Sequence, residues 1–204
     1  MLITDERLGH KPQKILHLGA YLCEEAPIYK RLGATEVMWV EADPHMFYQA
    51  QAVCNSYPGH TILNCAIYDE DGLEKEFFIC NNRGCSSLKK LYKHKNHYPH
   101  IQETHSITVR TRTVDSICAE YNFQPDMLNL DLQGGELNAL RGSTKTLQNV
   151  QLVYSEVSFE ELYLGAPLIQ DIDNCLAEFG FERTALADTG FQWGDAVYKK
   201  RTTQ

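Results

Sequence analysis

The stretches Ile15-Leu16-His17-Leu18-Gly19-Ala20-Tyr21 and Val37-Met38-Trp39-Val40-Glu41-Ala42-Asp43 decide the fold that the sequence predicts. Each is a short apolar run that ends in a glycine or in acidic residues, and residues 24–32 between them have helical character. A strand, a helix and a second strand in this order form a βαβ unit, whose two strands lie parallel and are joined by a right-handed crossover. The start of the chain therefore predicts a parallel sheet.

Strand and helix patterns keep alternating along most of the chain. Gly33 and the Asp43-Pro44 pair provide the stop signal of one helix and the start signal of the next. This alternation predicts an α/β fold in which helices cover both faces of a mostly parallel sheet. Further strands are predicted at residues 61–63, 127–130 and 152–154 with a terminal hairpin at 181–186 and 196–199, and further helices at 44–57, 136–147 and 168–179.

The alternation fails between residues 68 and 112. A turn signal at 69–72 and two strand patterns, 76–80 and 107–111, surround a segment rich in lysine and histidine. We interpret residues 68–112 as a small β-containing insertion or lid on the α/β core. We expect it to form part of a substrate site and to be more mobile than the core.

Composition places limits on the class of protein. The 204 residues are 43% hydrophobic and 23% charged, which predicts one folded domain over residues 1–204 and excludes a disordered chain. No apolar run approaches the ~20 residues of a membrane span, and residues 1–14 are too polar for a secretory signal. A net charge of -8 disfavours nucleic acid, and seven cysteines without a CxxC pair favour reduced thiols. These features predict a cytoplasmic protein with no membrane or nucleic-acid partner.

Acidic residues at the ends of predicted strands indicate a ligand site. Glu41, Asp131 and Glu156 each end a predicted strand, and ligands of open α/β sheets bind at that edge. A helix cap or a solvated loop is the better explanation of any one of these acids alone, but it explains all three together less well. Glu41 follows Gly19 by about the 20 residues expected of a ribose-binding acid, although the GxGxxG run that binds a diphosphate is absent. The pattern favours an adenosine ligand without a diphosphate.

Seven motifs follow one another along the chain. They are His17-Leu-Gly-Ala-Tyr21, Trp39-Val-Glu-Ala-Asp43, Asn64-Cys-Ala66, Cys85-Ser-Ser-Leu88, Thr111-Arg-Thr-Val-Asp115, Asn129-Leu-Asp-Leu-Gln-Gly-Gly-Glu-Leu137 and Leu140-Arg-Gly142. In this order and spacing they resemble the FkbM-type methyltransferases over roughly residues 14–199. The resemblance implies a class I, Rossmann-like methyltransferase fold with a seven-stranded sheet whose last strand is antiparallel. It also implies methyl transfer from S-adenosylmethionine to oxygen, commonly on a sugar or polyketide hydroxyl.

The motifs, the strand ends and the loops over the predicted site supply the candidate site residues. One departure is Cys23, which stands where the family usually has a second glycine. Ser86, Ser87 and Tyr163 are the candidate substrate contacts. The candidate cofactor-binding residues are His17, Gly19, Ala20, Tyr21, Glu41, Ala42, Asp43, Asn64, Ala66, Asp131 and Gln133.

The candidate catalytic residues are Asp131 and Glu156, because a neutral hydroxyl acceptor must lose a proton during methyl transfer. A histidine from residues 94–105 is an alternative base. Paired carboxylates also suit a divalent metal, which we do not favour, so no metal site is predicted. The partner is a small-molecule or glycan acceptor, and the sequence predicts no oligomeric state. The rival hypothesis is a catalytically silent binding or scaffold protein of the same fold.

Overall fold

The computed structural model describes residues 11–201. The strands are β1 (Lys14–Leu18), β2 (Glu36–Glu41), β3 (His60–Asn64), β4 (Ala66–Ile67), β5 (Glu74–Cys80), β6 (Glu103–Arg112), β7 (Met127–Leu130), β8 (Leu152–Ser158), β9 (Phe181–Asp188) and β10 (Trp193–Lys200). The helices are α1 (Ala26–Leu32), α2 (Pro44–Asn55), α3 (His94–His97), α4 (Val114–Glu120), α5 (Glu136–Arg141), α6 (Thr146–Asn149) and α7 (Ile169–Glu178), with a 3-10 turn at Arg83–Cys85.

Seven strands form one sheet in the order β3-β2-β1-β7-β8-β10-β9. The pairs β2–β3, β1–β2, β1–β7 and β7–β8 are parallel, whereas β10 is antiparallel to both β8 and β9. This confirms the predicted sheet with an antiparallel last strand and the predicted terminal hairpin. Since the parallel strands run in one direction, the loops that follow β1, β2 and β7 meet at one edge.

Helices cover both faces of this sheet, as predicted. Successive residues of a strand point to opposite faces, so Ile15 packs with Tyr29 of α1 and Ala50 of α2, while Leu16 packs with Ile117 of α4. Two apolar cores therefore lie on the two sides of the sheet. The cap predictions are also confirmed, because Gly33 ends α1 with a left-handed φ of 87° and the Asp43 carboxylate accepts from the backbone N of His45.

The insertion folds around a second, three-stranded sheet in the order β4-β6-β5. The predicted strands at 76–80 and 107–111 are confirmed and extend further than expected. Phe77, Ile79 and Val109 are buried, with Ala66, in a small core of the insertion. The mobility expected of residues 68–112 stays a prediction.

The single helix predicted at residues 136–147 is wrong, since the chain forms α5 and α6 with a break between them. A Cβ on Gly142 would lie 2.5 Å from the carbonyl oxygen of Tyr68, so the main chain is pressed against the insertion there. Asp115 then accepts from the backbone N of Lys145 (2.9 Å) and of Thr146 (2.8 Å), which starts the second helix. A local periodicity could not show either long-range contact.

Within residues 11–201, no helix combines the length and the apolar character needed to cross a membrane. Residues 1–10, which form most of the polar start that argues against a secretory signal, lie outside the described residues.

A buried polar trio ties the first helix to the centre of the sheet. The Tyr29 hydroxyl accepts from Nδ2 of Asn129 (2.6 Å) and lies 2.9 Å from Nδ1 of His17, to which it donates. The His17 ring also stacks on Trp39 with ring centroids 4.6 Å apart. Burial lowers the pKa of His17 to about 3, so the ring is neutral. A neutral ring can accept the hydrogen bond from the Tyr29 hydroxyl.

Replacing Tyr29 with Phe is expected to lower the free energy of unfolding by about 1–3 kcal/mol, because His17 and Asn129 then lose a buried partner. Urea denaturation at pH 7 measures this. Tyr48→Phe is the matched control, since Tyr48 is 76% exposed. Equal midpoints for Tyr29→Phe and the parent would show that the trio adds nothing to stability.

Candidate functional site

Two cavities lie side by side at the carboxyl ends of β1, β2 and β7. The first, here the Glu41 cavity, has an empty volume of about 520 Å³ and is lined by the loops after these strands and by residues of the insertion. The second, here the Trp193 cavity, is wider and more open, with about 1250 Å³. Tyr21, Gly84, Asp131 and Gln133 line both. The arrangement suits two ligands that meet.

The loop after β1 takes a tight course that begins at Gly19. Gly19 has a φ of 90°, and a Cβ there would lie 1.8 Å from the carbonyl oxygen of Asp131. Only glycine fits this close approach. Tyr21 and Cys23 follow with left-handed φ values of 44° and 55°. The loop therefore keeps a left-handed turn at Cys23 without a glycine, and the thiol is fully buried.

Glu41 holds the two neighbouring loops in register. Its carboxylate accepts from the backbone N of Tyr21 (2.8 Å) and of Asp43 (2.8 Å). Burial raises the pKa of Glu41 to about 7 against the opposing effect of these hydrogen bonds. Each carboxylate oxygen has a further lone pair, and Glu41 lines the cavity named after it. The position suits an acceptor for ligand hydroxyls.

Five of the candidate cofactor-binding residues do not line the Glu41 cavity. His17 belongs to the buried trio, and Ala20 and Ala66 are buried among apolar side chains. The Asn64 side chain donates to the carbonyl oxygens of Glu41 (2.8 Å) and Ala42 (3.2 Å). Asp43, besides capping α2, pairs with Arg83. The candidates that line the Glu41 cavity are Gly19, Tyr21, Glu41, Ala42, Asp131 and Gln133.

Arg83 is a site residue that the sequence did not indicate. It sits in the 3-10 turn of the insertion, binds the buried Asp43 carboxylate and lines the Glu41 cavity. Gly84 and Ser86 line the same cavity, so the insertion forms part of its wall. An isolated arginine within an irregular segment gives no pattern that could have pointed to this contact.

Asp131 and Glu156 are brought together, as predicted, and an amide joins them. Nε2 of Gln133 donates to Oδ1 of Asp131 (2.7 Å) and to Oε2 of Glu156 (3.1 Å). Asp131 is open to the water of the cleft, yet the protein that surrounds it and the charge of Asp195 raise its pKa. Burial and then the charge of Asp131 raise the pKa of Glu156 further. Carboxylates with raised pKa values suit proton transfer near neutral pH.

The candidate substrate contacts divide between the cavities and the wall. Ser86 lines the Glu41 cavity, where its hydroxyl accepts from the backbone N of Cys80 (3.1 Å). Ser87 is 1% exposed and donates to the carbonyl oxygen of Gln133 (2.8 Å). Tyr163 lines the Trp193 cavity, but its hydroxyl already donates to Oε1 of Gln133 (2.6 Å).

Aromatic and histidine side chains form the rest of the Trp193 cavity. Trp193 donates from Nε1 to the hydroxyl of Tyr98 (3.1 Å), and His94 packs against the rings of Tyr98 and Tyr163. His94 is buried, and Nδ1 of its ring has no hydrogen-bond partner among the described residues. Of the histidines at 94–105, His94 and His100 line the cavity.

Three lysines of the insertion contact acidic or carbonyl groups that do not line the two cavities. Lys93 pairs with Glu160 (3.0 Å), Lys95 lies 3.9 Å from Glu103, and Lys89 donates to the carbonyl oxygen of Gly165 (2.8 Å). Among residues 11–201, no group of three or more His, Cys, Asp or Glu side chains is arranged to hold a metal ion.

The family model described as Methyltransferase FkbM domain matches residues 13–183. The chain belongs to the FkbM methyltransferase family. Among curated proteins, it is 30% identical over 147 residues to the 2-O-methyltransferase NoeI of Sinorhizobium fredii (strain NBRC 101917 / NGR234), a match that covers 68% of this chain and 60% of the relative. The chain thus spans less than two thirds of that protein's length.

Solved structures support the class I methyltransferase fold of this FkbM family member. The FkbM methyltransferase of Methylobacillus flagellatus KT aligns with a TM-score of 0.61 at 16% identity, over 93% of this chain and 44% of that one. The magnesium protoporphyrin IX methyltransferase of Synechocystis PCC 6803, solved with bound SAM, aligns with a TM-score of 0.51 at 10% identity, over 95% and 73%. At these identities the likeness concerns the fold alone.

A glutamate that the family motif contains, Glu136, braces the loop after β7. It is 4% exposed, and its Oε1 accepts from the backbone N of Leu132 (2.9 Å) and of Gly134 (3.2 Å). Burial raises its pKa from 4.5 to about 7. Glu136 therefore supports the segment that presents Asp131 and Gln133.

Glu136→Gln is expected to change how stability depends on pH. Because the pKa of Glu136 is higher in the folded than in the unfolded chain, its protonated form adds to the stability of the folded parent below about pH 4.5. This stabilisation is lost as the pH rises through 7. Gln keeps the accepting oxygen and does not ionise, so the variant should gain on the parent by up to about 3 kcal/mol between pH 5 and 8. Denaturant unfolding at several pH values measures this.

The control is Glu178→Gln, since Glu178 is exposed at the end of α7. Its stability should follow that of the parent across the same range. A constant difference between Glu136→Gln and the parent from pH 5 to 8 would contradict the buried-acid assignment.

Proposed function

We propose that this FkbM family member is a methyltransferase that binds S-adenosylmethionine in the Glu41 cavity. It transfers the methyl group to a hydroxyl of a sugar, glycan or secondary metabolite in the Trp193 cavity. The observation that carries the proposal is the meeting of the two cavities at Asp131 and Gln133, directly beneath the loop after β1. The match to a 2-O-methyltransferase favours oxygen as the acceptor atom.

The Glu41 cavity has the charge for this cofactor. Glu41 would accept from the ribose hydroxyls, and the acidic wall formed by Glu41 and Asp131 complements the positive charges of sulfonium and ammonium groups. Arg83, the cation in this wall among the described residues, is already paired with Asp43. The wall therefore stays acidic.

When bound, S-adenosylmethionine supplies an electrophilic methyl group on a sulfonium sulfur that leaves as a neutral thioether. Asp131 borders both cavities, so its carboxylate takes the proton that the acceptor hydroxyl loses. Glu156 lines only the acceptor side and holds the acceptor by a hydrogen bond. The loop of the insertion at residues 82–86 excludes water by walling both cavities.

The acceptor class follows from the walls of the second cavity. Trp193, Tyr98 and Tyr163 offer apolar ring surfaces, and Asn82, His94 and Glu156 offer polar groups among them. Rings with several hydroxyls bind such mixed surfaces well, because the ring faces pack while the hydroxyls form hydrogen bonds. The insertion at 68–112 acts as a lid over this acceptor. Seven free cysteines also suit the reducing cytoplasm as its place of action.

Glu41→Ala is expected to weaken binding of S-adenosylhomocysteine by about 10²- to 10⁴-fold, because two hydrogen bonds to a charged acceptor are lost. Isothermal calorimetry measures the dissociation constant. Glu36→Ala is the matched control at the other end of β2, where Glu36 pairs with Lys14 on the surface.

Equal affinity in Glu41→Ala and the parent would remove Glu41 from the ribose site. A parent protein that binds no cofactor at all would instead favour the silent scaffold protein.

Asp131→Asn is expected to lower turnover by about 10²- to 10⁴-fold at saturating cofactor while the melting temperature stays near that of the parent. Asn keeps the shape of the side chain and its acceptor for Gln133, but it cannot take the proton. A screen of sugar and glycoside acceptors with labelled methyl donor supplies the assay.

Near-normal turnover in Asp131→Asn would return Asp131 to a structural role. A chelator added to the parent tests the disfavoured metal alternative, since only that alternative predicts a loss that magnesium restores.

A further inference from the structure

Gln133 lies in the wall between the two cavities, where both its backbone and its side chain form hydrogen bonds. Its backbone has a left-handed φ of 53°, and its carbonyl oxygen accepts from the Ser87 hydroxyl (2.8 Å). Its side chain contacts Tyr163, Asp131 and Glu156. Strained backbone of this kind persists only where the surroundings hold it, and it concentrates at functional sites.

These contacts fix which way the amide points. The Tyr163 hydroxyl lies 2.6 Å from one end of the amide, and carboxylates lie at the other end. A carboxylate accepts and a hydroxyl can donate, so the amide oxygen faces Tyr163 and the NH₂ group faces the acids. The two N–H bonds are shared between Asp131 and Glu156.

The two carboxylates are held unequally. The amide nitrogen lies 2.7 Å from Oδ1 of Asp131 but 3.1 Å from Oε2 of Glu156. Asp131 is open to the water of the cleft, whereas Glu156 is half-buried. A shorter hydrogen bond to a charged oxygen is stronger, and water favours the charged form, so both effects stabilise charge on Asp131.

We infer that Gln133 is a positioning residue whose side-chain amide places the negative charge of the Asp131–Glu156 pair on Asp131 and leaves the proton on Glu156. The catalytic use of this arrangement rests on the proposed function. An acceptor hydroxyl then meets a carboxylate that takes its proton and a carboxylic acid that donates a hydrogen bond to its oxygen. Without the hydrogen bonds of the amide, the negative charge can lie on either carboxyl group.

Other acids surround the pair. Asp195 raises the pKa of both Asp131 and Glu156, and Glu136 interacts with both carboxylates. The asymmetry between the two acids therefore comes from the unequal hydrogen bonds of Gln133 and from the unequal exposure of the carboxylates. The ionisable groups that face the pair from the surrounding elements are Glu25, Tyr29, Cys85, Glu136, Tyr163 and Asp195.

Gln133→Met tests the inference without ligand, because Met matches the volume of Gln and donates no hydrogen bond. The stability of the protein is measured by denaturant unfolding from pH 5 to 9 in two backgrounds, Glu156→Gln and Asp131→Asn. A raised folded pKa makes stability fall with rising pH. In the Glu156→Gln background, Gln133→Met should move the midpoint of this fall upward by about one pH unit.

In the Asp131→Asn background, where only Glu156 ionises, the same substitution should move the midpoint by clearly less. A shift in neither background, or a larger shift with Asp131→Asn, would overturn the inference. Tyr163→Phe is a milder variant that frees the amide to rotate, and it should shift the midpoint in the same direction by a smaller amount. No shift in Tyr163→Phe would show that Tyr163 does not orient the amide.

Asn138→Ala is the matched control, since the Asn138 amide donates to Asp69 (2.7 Å) away from both cavities. It should leave the midpoint where the parent has it. Binding of S-adenosylhomocysteine at pH 7 is measured in parallel by calorimetry. If Gln133→Met weakens this binding but leaves the pH profile unchanged, Gln133 is a cofactor ligand and the inference fails. Failure of the parent to bind overturns the proposed function instead, and the ligand-free titration still decides where the charge lies.

Discussion

The close approach of Gly19 to Asp131 is the constraint on which the rest of the site depends. The backbone N of Asp131 donates to the carbonyl oxygen of Leu18 (2.9 Å), which extends the β1–β7 pairing by one residue. At that point the chain after β1 turns across the end of β7, and no side chain fits between them. The loop that follows Gly19 and the carboxylate of Asp131 are therefore held side by side before any ligand is present.

The loops next to this contact contain strained backbone that is held by contacts with other segments. Tyr21, Cys23 and Gln133 are non-glycine residues with left-handed φ values, and all three lie in the loops after β1 and β7. Each is held by something outside its own loop: Tyr21 by Glu41, Gln133 by Ser87 and Tyr163, and Cys23 by burial. Such positions cost stability, so their concentration here indicates that the loops are shaped for a ligand rather than for folding alone.

Much of this could be predicted from the sequence, and the failures have physical reasons. Alternation of strands and helices gave the sheet and its two cores, and strand-end acids gave Glu41, Asp131 and Glu156, because both signals are local. The motif resemblance makes His17 a candidate cofactor residue, yet His17 shares the parity of Ile15 along the strand and so faces the core that contains α1. Arg83 and the bond from Tyr163 to Gln133 depend on contacts between distant segments, which no local pattern records.

The acidic residues at this edge of the sheet share a raised pKa. Burial raises the pKa of Glu25, Glu41 and Glu136 to about 7 in each case and also raises that of Glu156, and the surrounding protein raises the pKa of Asp131. The fold therefore collects carboxylates where their charged forms are disfavoured, while its nearby lysines and Arg83 are bonded to other groups. A ligand that brings positive charge or hydrogen-bond donors into the cavities would stabilise the ionised acids, whereas an anionic ligand would not. Electrostatics thus disfavours an anionic ligand at this edge of the sheet.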